Sequence, residues 1–585
     1  MPFGPVSGIA VPQDGAAAGP AGELPARLGR LAENPRLIVA LACLLLLVPF
    51  LSKPLHMDDP MYVWAAEHIL AHPLDPYGFD VNWGAITERM PDAMKNPPLV
   101  CYYLAGAMML LGRSEQALHL AMLLPALGVI LGTYQLAKEL GSRPVLAAAA
   151  TLATPVFLIS ATTLMCDVAM LCAYVWAVWF WVRGITSQRT GMLCVAATLI
   201  AVSTLTKYFG VTLFPLLIAH GLIAKRRPGA WLLPMIVPVA ILAAFHFWTK
   251  GLYGYGLLND AAGYATKERW SAGGKFVGSV VTGLAFTGGC CAAIVFLIGV
   301  ASPRMFGITA GAAFVVFMVL VLTLDPMAHQ SIRAENGIRW SLLIQIAFWS
   351  ACGLAMFAAV AHYIWTHRSA DSVLLGCWIV GTFCFAVFVN WNVAARSILP
   401  MTPAAAILAA RMWTKRLEHD ATAQATPWRP WIALAPGVVL AVLVCAADAS
   451  LARTQIDAAT QIVENVEQNT DSAHRKIYFA GHWGFQHYMQ QRGALAMDKR
   501  RTTLAVGDVV VLPENNTGKI GLPPGAARLV AAPRLETMPM ISTMRVETGA
   551  GFYSDVWGPL PFAIGPVPPE RYQVLLMTVP LSAQR

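Results

Sequence analysis

The sequence predicts an all-α polytopic membrane domain of about thirteen transmembrane helices, followed by a small C-terminal α/β domain outside the membrane. Three observations predict it. Hydrophobic residues make up 57% of the 585 and charged residues only 12%, a balance outside that of ordinary soluble domains. Apolar stretches of roughly 16–25 residues, each able to cross or nearly cross a hydrocarbon layer, recur between residues 37 and 447. Beyond residue 447 the pattern changes: a polar helical run over 451–469 gives way to short strand-like segments at 476–480 and 508–512.

Residues 1–35 are rich in Pro, Gly and Ala and carry no apolar core, which reads as a disordered cytoplasmic lead rather than a cleaved signal. Residues 37–51 are then an uncleaved first span. The net charge of +9 comes largely from short basic loops between spans, so it reports topology and not a nucleic-acid partner. Arg27, Arg30 and Arg36, then Lys225, Arg226 and Arg227, then Arg368, Arg411, Lys415, Arg416 and Arg429 mark the inside. About fourteen apolar segments are present, but placing Lys138 and Arg143 inside makes residues 98–112 a juxtamembrane or re-entrant helix near the outer surface. Residues 36–447 thus form the membrane domain and residues 448–585 a soluble domain on the outer side. Three outside segments follow: 53–97, which is markedly acidic, 162–167 and 249–275. Function is expected to concentrate in the first.

The eleven cysteines lie almost entirely in apolar segments and none falls in the C-terminal part, so they read as packing residues without disulfide or zinc spacing. No nucleotide-binding glycine fingerprint appears, and a nucleotide-sugar or ATP site is unsupported.

Several ionisable residues sit where the bilayer makes them costly. Asp58 and Asp59 follow the first span and precede an amphipathic helix; a carboxylate there suits a general base on an acceptor, and equally suits a helix start. Asp167 opens an apolar span on the same face, where an ionised group is functional by default unless it caps the helix. Lys207 interrupts an apolar stretch on the outer side, where the positive-inside bias gives no reason for a cation. It suits a lipid phosphate, or snorkels to the interface. Lys95 and Arg396 make the same case at the outer ends of their segments. Tyr255, Lys267, Glu268 and Arg269 belong to an outer loop whose mixture of rings and charges suits closing over a sugar, as it would an interfacial aromatic belt. His56, His68 and His72 lack a recognised metal-ligand spacing, so no histidine metal site is expected. The acidic pair allows either a divalent cation or metal-free chemistry.

Asp58-Asp59, Lys95-Asn96-Pro97-Pro98-Leu99, Asp167, Leu205-Thr206-Lys207 and Arg396-Ser397-Ile398-Leu399-Pro400 together resemble the motifs of membrane glycosyltransferases of the C superfold. The branch they resemble is the protein O-mannosyltransferase and aminoarabinose transferase type. That resemblance implies a polyprenyl-phosphate sugar donor, inversion at the anomeric carbon, and a glycan, lipid or protein acceptor. It also implies Asp58, or its neighbour Asp59, as catalytic base, Asp167 as the second acid, and Lys95 and Lys207 as ligands of the donor phosphate, which Arg396 joins as a third cation on the same face. Asp59 stands where the family more often has Glu, and Ser397 where it usually has Tyr. A bacterial inner membrane with a periplasmic active site is implied as well. The rival reading is a transporter or flippase of a lipid-linked saccharide, but no internal repeat is evident and the charges gather at one surface rather than at the midplane.

Overall fold

The computed structural model describes residues 34–271, 276–327, 329–335, 337–468 and 476–582. Most of the N-terminal lead, residues 1–33, lies outside the described residues. The chain opens with helix α1 (Pro35–Leu47), whose start is set by Pro35 at the first helical position and by Asn34, which accepts a bond from the Arg36 amide. The first outer loop carries α2 (Asp59–Ala71), a hairpin of β1 (Asp80–Asn82) and β2 (Thr87–Arg89), and then α3 (Leu99–Leu111). The latter is the segment expected to lie near the outer surface. It is too short to cross a bilayer, and Met109, Leu110 and Leu111 at its end are exposed.

The remaining membrane part runs through α4 (Glu115–Glu139), α5 (Pro144–Leu152), α6 (Pro155–Ser160), α7 (Asp167–Ser187) and α8 (Thr190–Thr206). It continues through α9 (Leu213–Lys225), α10 (Ile236–Tyr253), α11 (Leu257–Ser271), α12 (Phe276–Cys290), α13 (Ala292–Ala301) and α14 (Pro303–Leu324). It ends with α15 (Trp340–Thr366), α16 (Ala370–Cys384), the short α17 (Ala395–Ile398), α18 (Thr402–His419) and α19 (Arg429–Gln468).

By length and composition, eight helical segments among the described residues can span a membrane, or nine if the bent pair α12 and α13 counts as one. Three shorter apolar helices, including α1, α3 and α8, accompany them. Several of the remaining apolar stretches are divided by breaks and bends. Pro155, whose preceding Thr154 accepts from the Phe157 amide, separates α5 from α6. The α12 and α13 pair turns by 80° at its break. The outward-facing residues of α14, such as Ile308, Val315, Val316 and Val319, are exposed and apolar, as a lipid-covered face requires. The chain is a multi-pass membrane protein.

Two glycines set the tightest helix crossing. A methyl group on Gly288 of α12 would lie 2.0 Å from the Trp349 carbonyl oxygen on α15, and one on Gly353 would lie 2.3 Å from that of Leu284. Only hydrogen in both places lets the two backbones meet.

The last helix of the membrane part, α19, is 40 residues long and passes unbroken through residues 447 and 448. Beyond it stand β3 (Ile477–Phe479), α20 (Trp483–Gln491), β4 (Leu495–Ala496), β5 (Val509–Pro513), β6 (Ala527–Ala531), β7 (Arg534–Leu535) and β8 (Glu570–Met577). These strands form one sheet in the order β4-β3-β5-β8-β6, with β7 also pairing β8. Its first three strands are parallel and β8 runs antiparallel to β5, β6 and β7. The fold is therefore an apolar helical part joined to a smaller α/β part, as the sequence predicts.

Candidate active site

Adjacent acids at the start of α2 have different surroundings. Asp59 is fully buried and accepts from two amides, His56 at 3.0 Å and Leu164 at 2.8 Å, so it ties the first outer loop to the 162–167 turn. Burial pushes its carboxyl up to about 7, against the opposing pull of Lys53 and the two amide donors. Asp58 has no such backbone partners. Its side chain is a third exposed and takes a 2.9 Å bond from the Arg396 guanidinium.

That arginine comes from α17, a single helical turn between two apolar segments. It also bonds the Met165 sulfur at 2.8 Å and lies 5.8 Å from the centre of the Tyr553 ring. Lys207 ends α8 in extended backbone and pairs with Asp167, the buried first residue of α7. Lys95 pairs with Asp260 of α11 at 2.7 Å and sits 5.4 Å from the Tyr264 ring centre. Each cation thus has a protein carboxylate to balance it.

Two adjoining cavities bring these groups together. One, of about 170 Å³, is lined by Lys207, Tyr208 and Phe385; the other, of about 450 Å³, is lined by Asp58, Tyr62 and Tyr553. Both share Lys95, Asn96, Tyr264, Trp391, Asn392 and Arg396. Asp58, Lys95, Lys207 and Arg396 therefore surround one continuous region, while Asp59 and Asp167 stand behind its wall. Tyr255 lies off the cavities, donating to Asp92 beneath the Arg89 guanidinium. Lys267 is exposed on α11, and the side chains of Glu268 and Arg269 lie outside the described residues. Among the described residues no three His, Cys, Asp or Glu side chains converge as a metal site requires.

Residues 95–250 match the family model described as dolichyl-phosphate-mannose-protein mannosyltransferase. The likeness to membrane glycosyltransferases thus holds on a segment that carries Lys95, Asp167 and Lys207, and stops short of Asp58 and Arg396. No curated protein matches the chain. Among solved structures, it is similar to the apo oligosaccharyltransferase of Archaeoglobus fulgidus at 15% identity and a TM-score of 0.46, covering 79% of this chain. It spans 64% of that enzyme's length, less than two thirds. It is also similar to ArnT from Cupriavidus metallidurans bound to undecaprenyl phosphate, at 15% identity and a TM-score of 0.44, covering 82% of this chain and 92% of that one. Arabinofuranosyltransferase AftD from Mycobacteria is a third, at 13% identity and a TM-score of 0.35, covering 92% of this chain and 41% of that one.

The cavity walls include residues to which the sequence assigned no role. Asn96 donates to the Tyr62 hydroxyl at 3.0 Å, and Asn392 donates to Ser554 at 2.7 Å. Asn390 and Asn392 interrupt an apolar run just before Arg396, a polar cluster at membrane depth that the rule applied to Asp167 also flags. Trp483 belongs to the aromatic cluster of residues 481–488, whose sequence suits a contact to an acceptor glycan or peptide but favours a domain core; Tyr553 and Trp557 carried no comparable signal.

Proposed function

We propose that this protein is an inverting glycosyltransferase that moves a sugar from a polyprenyl-phosphate donor to an acceptor on the extracytoplasmic side of a bacterial inner membrane. The observation that carries this reading is the joined cavity, with one carboxylate, Asp58, on its wide side and the cations Lys95, Lys207 and Arg396 around its narrow side. The family match over residues 95–250 supports the transfer of a lipid-linked sugar.

In this reading the donor phosphate lies in the narrow cavity against Lys207, Lys95 and Arg396, and its sugar projects into the wide one. The acceptor oxygen attacks the anomeric carbon from the face opposite the phosphate. Asp58 takes the acceptor proton, the carbon–oxygen bond to phosphate breaks, and polyprenyl phosphate leaves. The cations line the narrow cavity and are held there by their carboxylates, placed to stabilise the charge that develops on the leaving group. Arg396 links the two halves of the reaction by holding Asp58 while reaching the phosphate. Asp167 acts behind Lys207, fixing the ammonium in the cavity wall. Helix α11, through Asp260, holds Lys95, and Tyr255 with Lys267 borders the same outer loop.

The test is transfer of radiolabelled sugar from a panel of polyprenyl-phosphate sugars by the protein reconstituted in lipid. Asp58→Asn is expected to lower the transfer rate by about 10²–10⁴, whereas Lys207→Ala is expected to raise the donor concentration needed for half-maximal rate. Absence of transfer from every donor, with intact lipid-linked sugar crossing the bilayer, would replace this reading with a flippase.

A further inference from the structure

One wall of the wide cavity is built by the C-terminal part, and it has a chemistry of its own. Four indoles reach this cavity: Trp83 from the first outer loop, Trp391 from the turn before α17, and Trp483 and Trp557 from the C-terminal part. Trp483 and Trp557 lie with ring centres 5.1 Å apart at 55°, two faces of a bent platform. Trp83 is held edge-on to Trp64 at 6.0 Å and lies 5.4 Å from the ring of His482, the residue before Trp483.

Trp483 adopts φ +62°, a left-handed backbone that costs a bulky residue free energy and is retained where the surroundings enforce it. Its neighbour is tightly packed: a methyl group on Gly484 would lie 2.0 Å from the Leu55 carbonyl oxygen, so the start of α20 is pressed against the first outer loop. The strained residue is the one whose ring lines the cavity.

Between the indoles the lining mixes neutral polar groups, Asn96, Asn392, Ser554 and Thr517, with apolar side chains such as Met57, Met61 and Met544. Asp58, Lys95 and Arg396 provide the charge. A pyranose or furanose ring presents a C–H-rich face that stacks on an aromatic ring and a rim of hydroxyls that pairs with amides and alcohols. Flat rings interleaved with neutral hydrogen-bonding groups match that combination. A lipid acceptor would call for an unbroken apolar wall; a phosphorylated one would call for free cations, whereas Lys95 and Arg396 are already paired with Asp260 and Asp58 and the C-terminal wall adds none.

We propose that the acceptor is a neutral carbohydrate chain whose sugar units lie against Trp483, Trp557 and Trp83, so that the C-terminal part selects the acceptor while the membrane part holds the donor. This rests on the transfer reading above, and its test separates the two. The full-length protein in nanodiscs is assayed by equilibrium dialysis, without donor, against labelled neutral hexose and pentose oligosaccharides, a Ser/Thr-rich peptide and a phosphorylated glucosamine lipid. Polyprenyl phosphate binding is measured on the same preparations, which also reports that each variant is folded.

At least one neutral oligosaccharide is expected to bind. Trp557→Ala is expected to weaken it roughly tenfold, the order of one lost aromatic contact, with Trp557→Phe retaining part of the affinity and Trp83→Ala behaving like Trp557→Ala. Binding of the peptide or the lipid in place of every oligosaccharide, or oligosaccharide binding indifferent to all three variants, overturns the inference even if polyprenyl phosphate binds through Lys207. Oligosaccharide binding that needs the indoles, in a protein that does not bind polyprenyl phosphate, upholds the carbohydrate site and removes the transfer reading instead.

Discussion

Two neighbouring carboxylates behave as different chemical objects because of what comes to meet them. Asp59 meets the Leu164 amide, 105 residues away, and Asp58 meets Arg396, 338 residues away. Asn in place of Asp59 would turn an amide group toward at least one of the two backbone donors, a loss of about 1–3 kcal/mol for a buried group left unsatisfied. The pH dependence has a definite sign. With its folded value raised to about 7, Asp59 binds a proton in the folded chain that the unfolded chain releases near its ordinary value of about 4. Its contribution to stability is therefore most favourable below about 4 and declines as pH rises toward 7. Thermal unfolding of the detergent-solubilised protein at several pH values should show this decline in the wild type, and Asp59→Asn should flatten it. An unchanged slope in the variant would assign the pH dependence to other groups. Sequence alone could nominate the pair, since acids beside an apolar span are conspicuous, but it could not divide their roles. Lys95, Lys207 and Arg396 were legible for the same reason, as cations with no topological excuse. The buried pair of Lys53 and Asp448, 2.7 Å apart and 395 residues distant, was not, because Lys53 read as a loop cation and Asp448 as a boundary residue.

At the scale of elements, hydropathy located the membrane part but not how each apolar stretch is divided. An apolar stretch looks the same whether it runs straight or turns by 80° between α12 and α13, and whether Pro155 divides it. Glycine positions carry the missing information, but only a neighbouring helix distinguishes a glycine that is needed from one that is tolerated. Gly288 and Gly353 face backbone oxygens on the partner helix, whereas a side chain on Gly311 of α14 would meet nothing within 4 Å. Gly288→Val is expected to force α12 away from α15 and lower stability by roughly 1–3 kcal/mol, the usual range for overpacking. Gly311→Ala should leave it nearly unchanged. The comparison is made by midpoint of thermal unfolding, and equal midpoints for the two variants would mean that α12 and α15 yield without cost. Because α12 is followed directly by the bend into α13, such a shift should also disturb Pro561 and Phe562, which pack beside Gly289.

Across the whole molecule, the polar bonds that join the apolar helices to the sheet-bearing part are buried and numerous, so the two are unsuited to independent existence. Asp448 takes bonds from Lys53 at 2.7 Å, from Thr543 at 2.9 Å and from the Tyr553 hydroxyl at 2.9 Å. The Tyr488 hydroxyl receives the Leu55 amide at 2.7 Å and donates to Glu115 at 2.6 Å. Backbone bonds of 2.8 Å run from Ala395 to Phe552 and from Asp555 to Val393, just before Arg396. A chain ending at residue 468 would keep Lys53 beside Asp448 but strip that carboxylate of two of its donors and leave the Leu55 amide without an acceptor. Each loss costs about 1–3 kcal/mol where water cannot replace the partner, and together they rival the total stability of an ordinary domain, about 5–15 kcal/mol. The cuts also fall beside the site: Tyr553 supports Arg396, and the segment around Val393 fixes where α17 begins. The truncated protein is therefore expected to aggregate on extraction from the membrane, and co-expression of residues 469–585 as a separate chain should restore a monodisperse complex. Size-exclusion chromatography decides between these. A truncated chain that stays monodisperse and still transfers sugar would mean that the helical part completes the site alone and that the seam serves only to tether the C-terminal part.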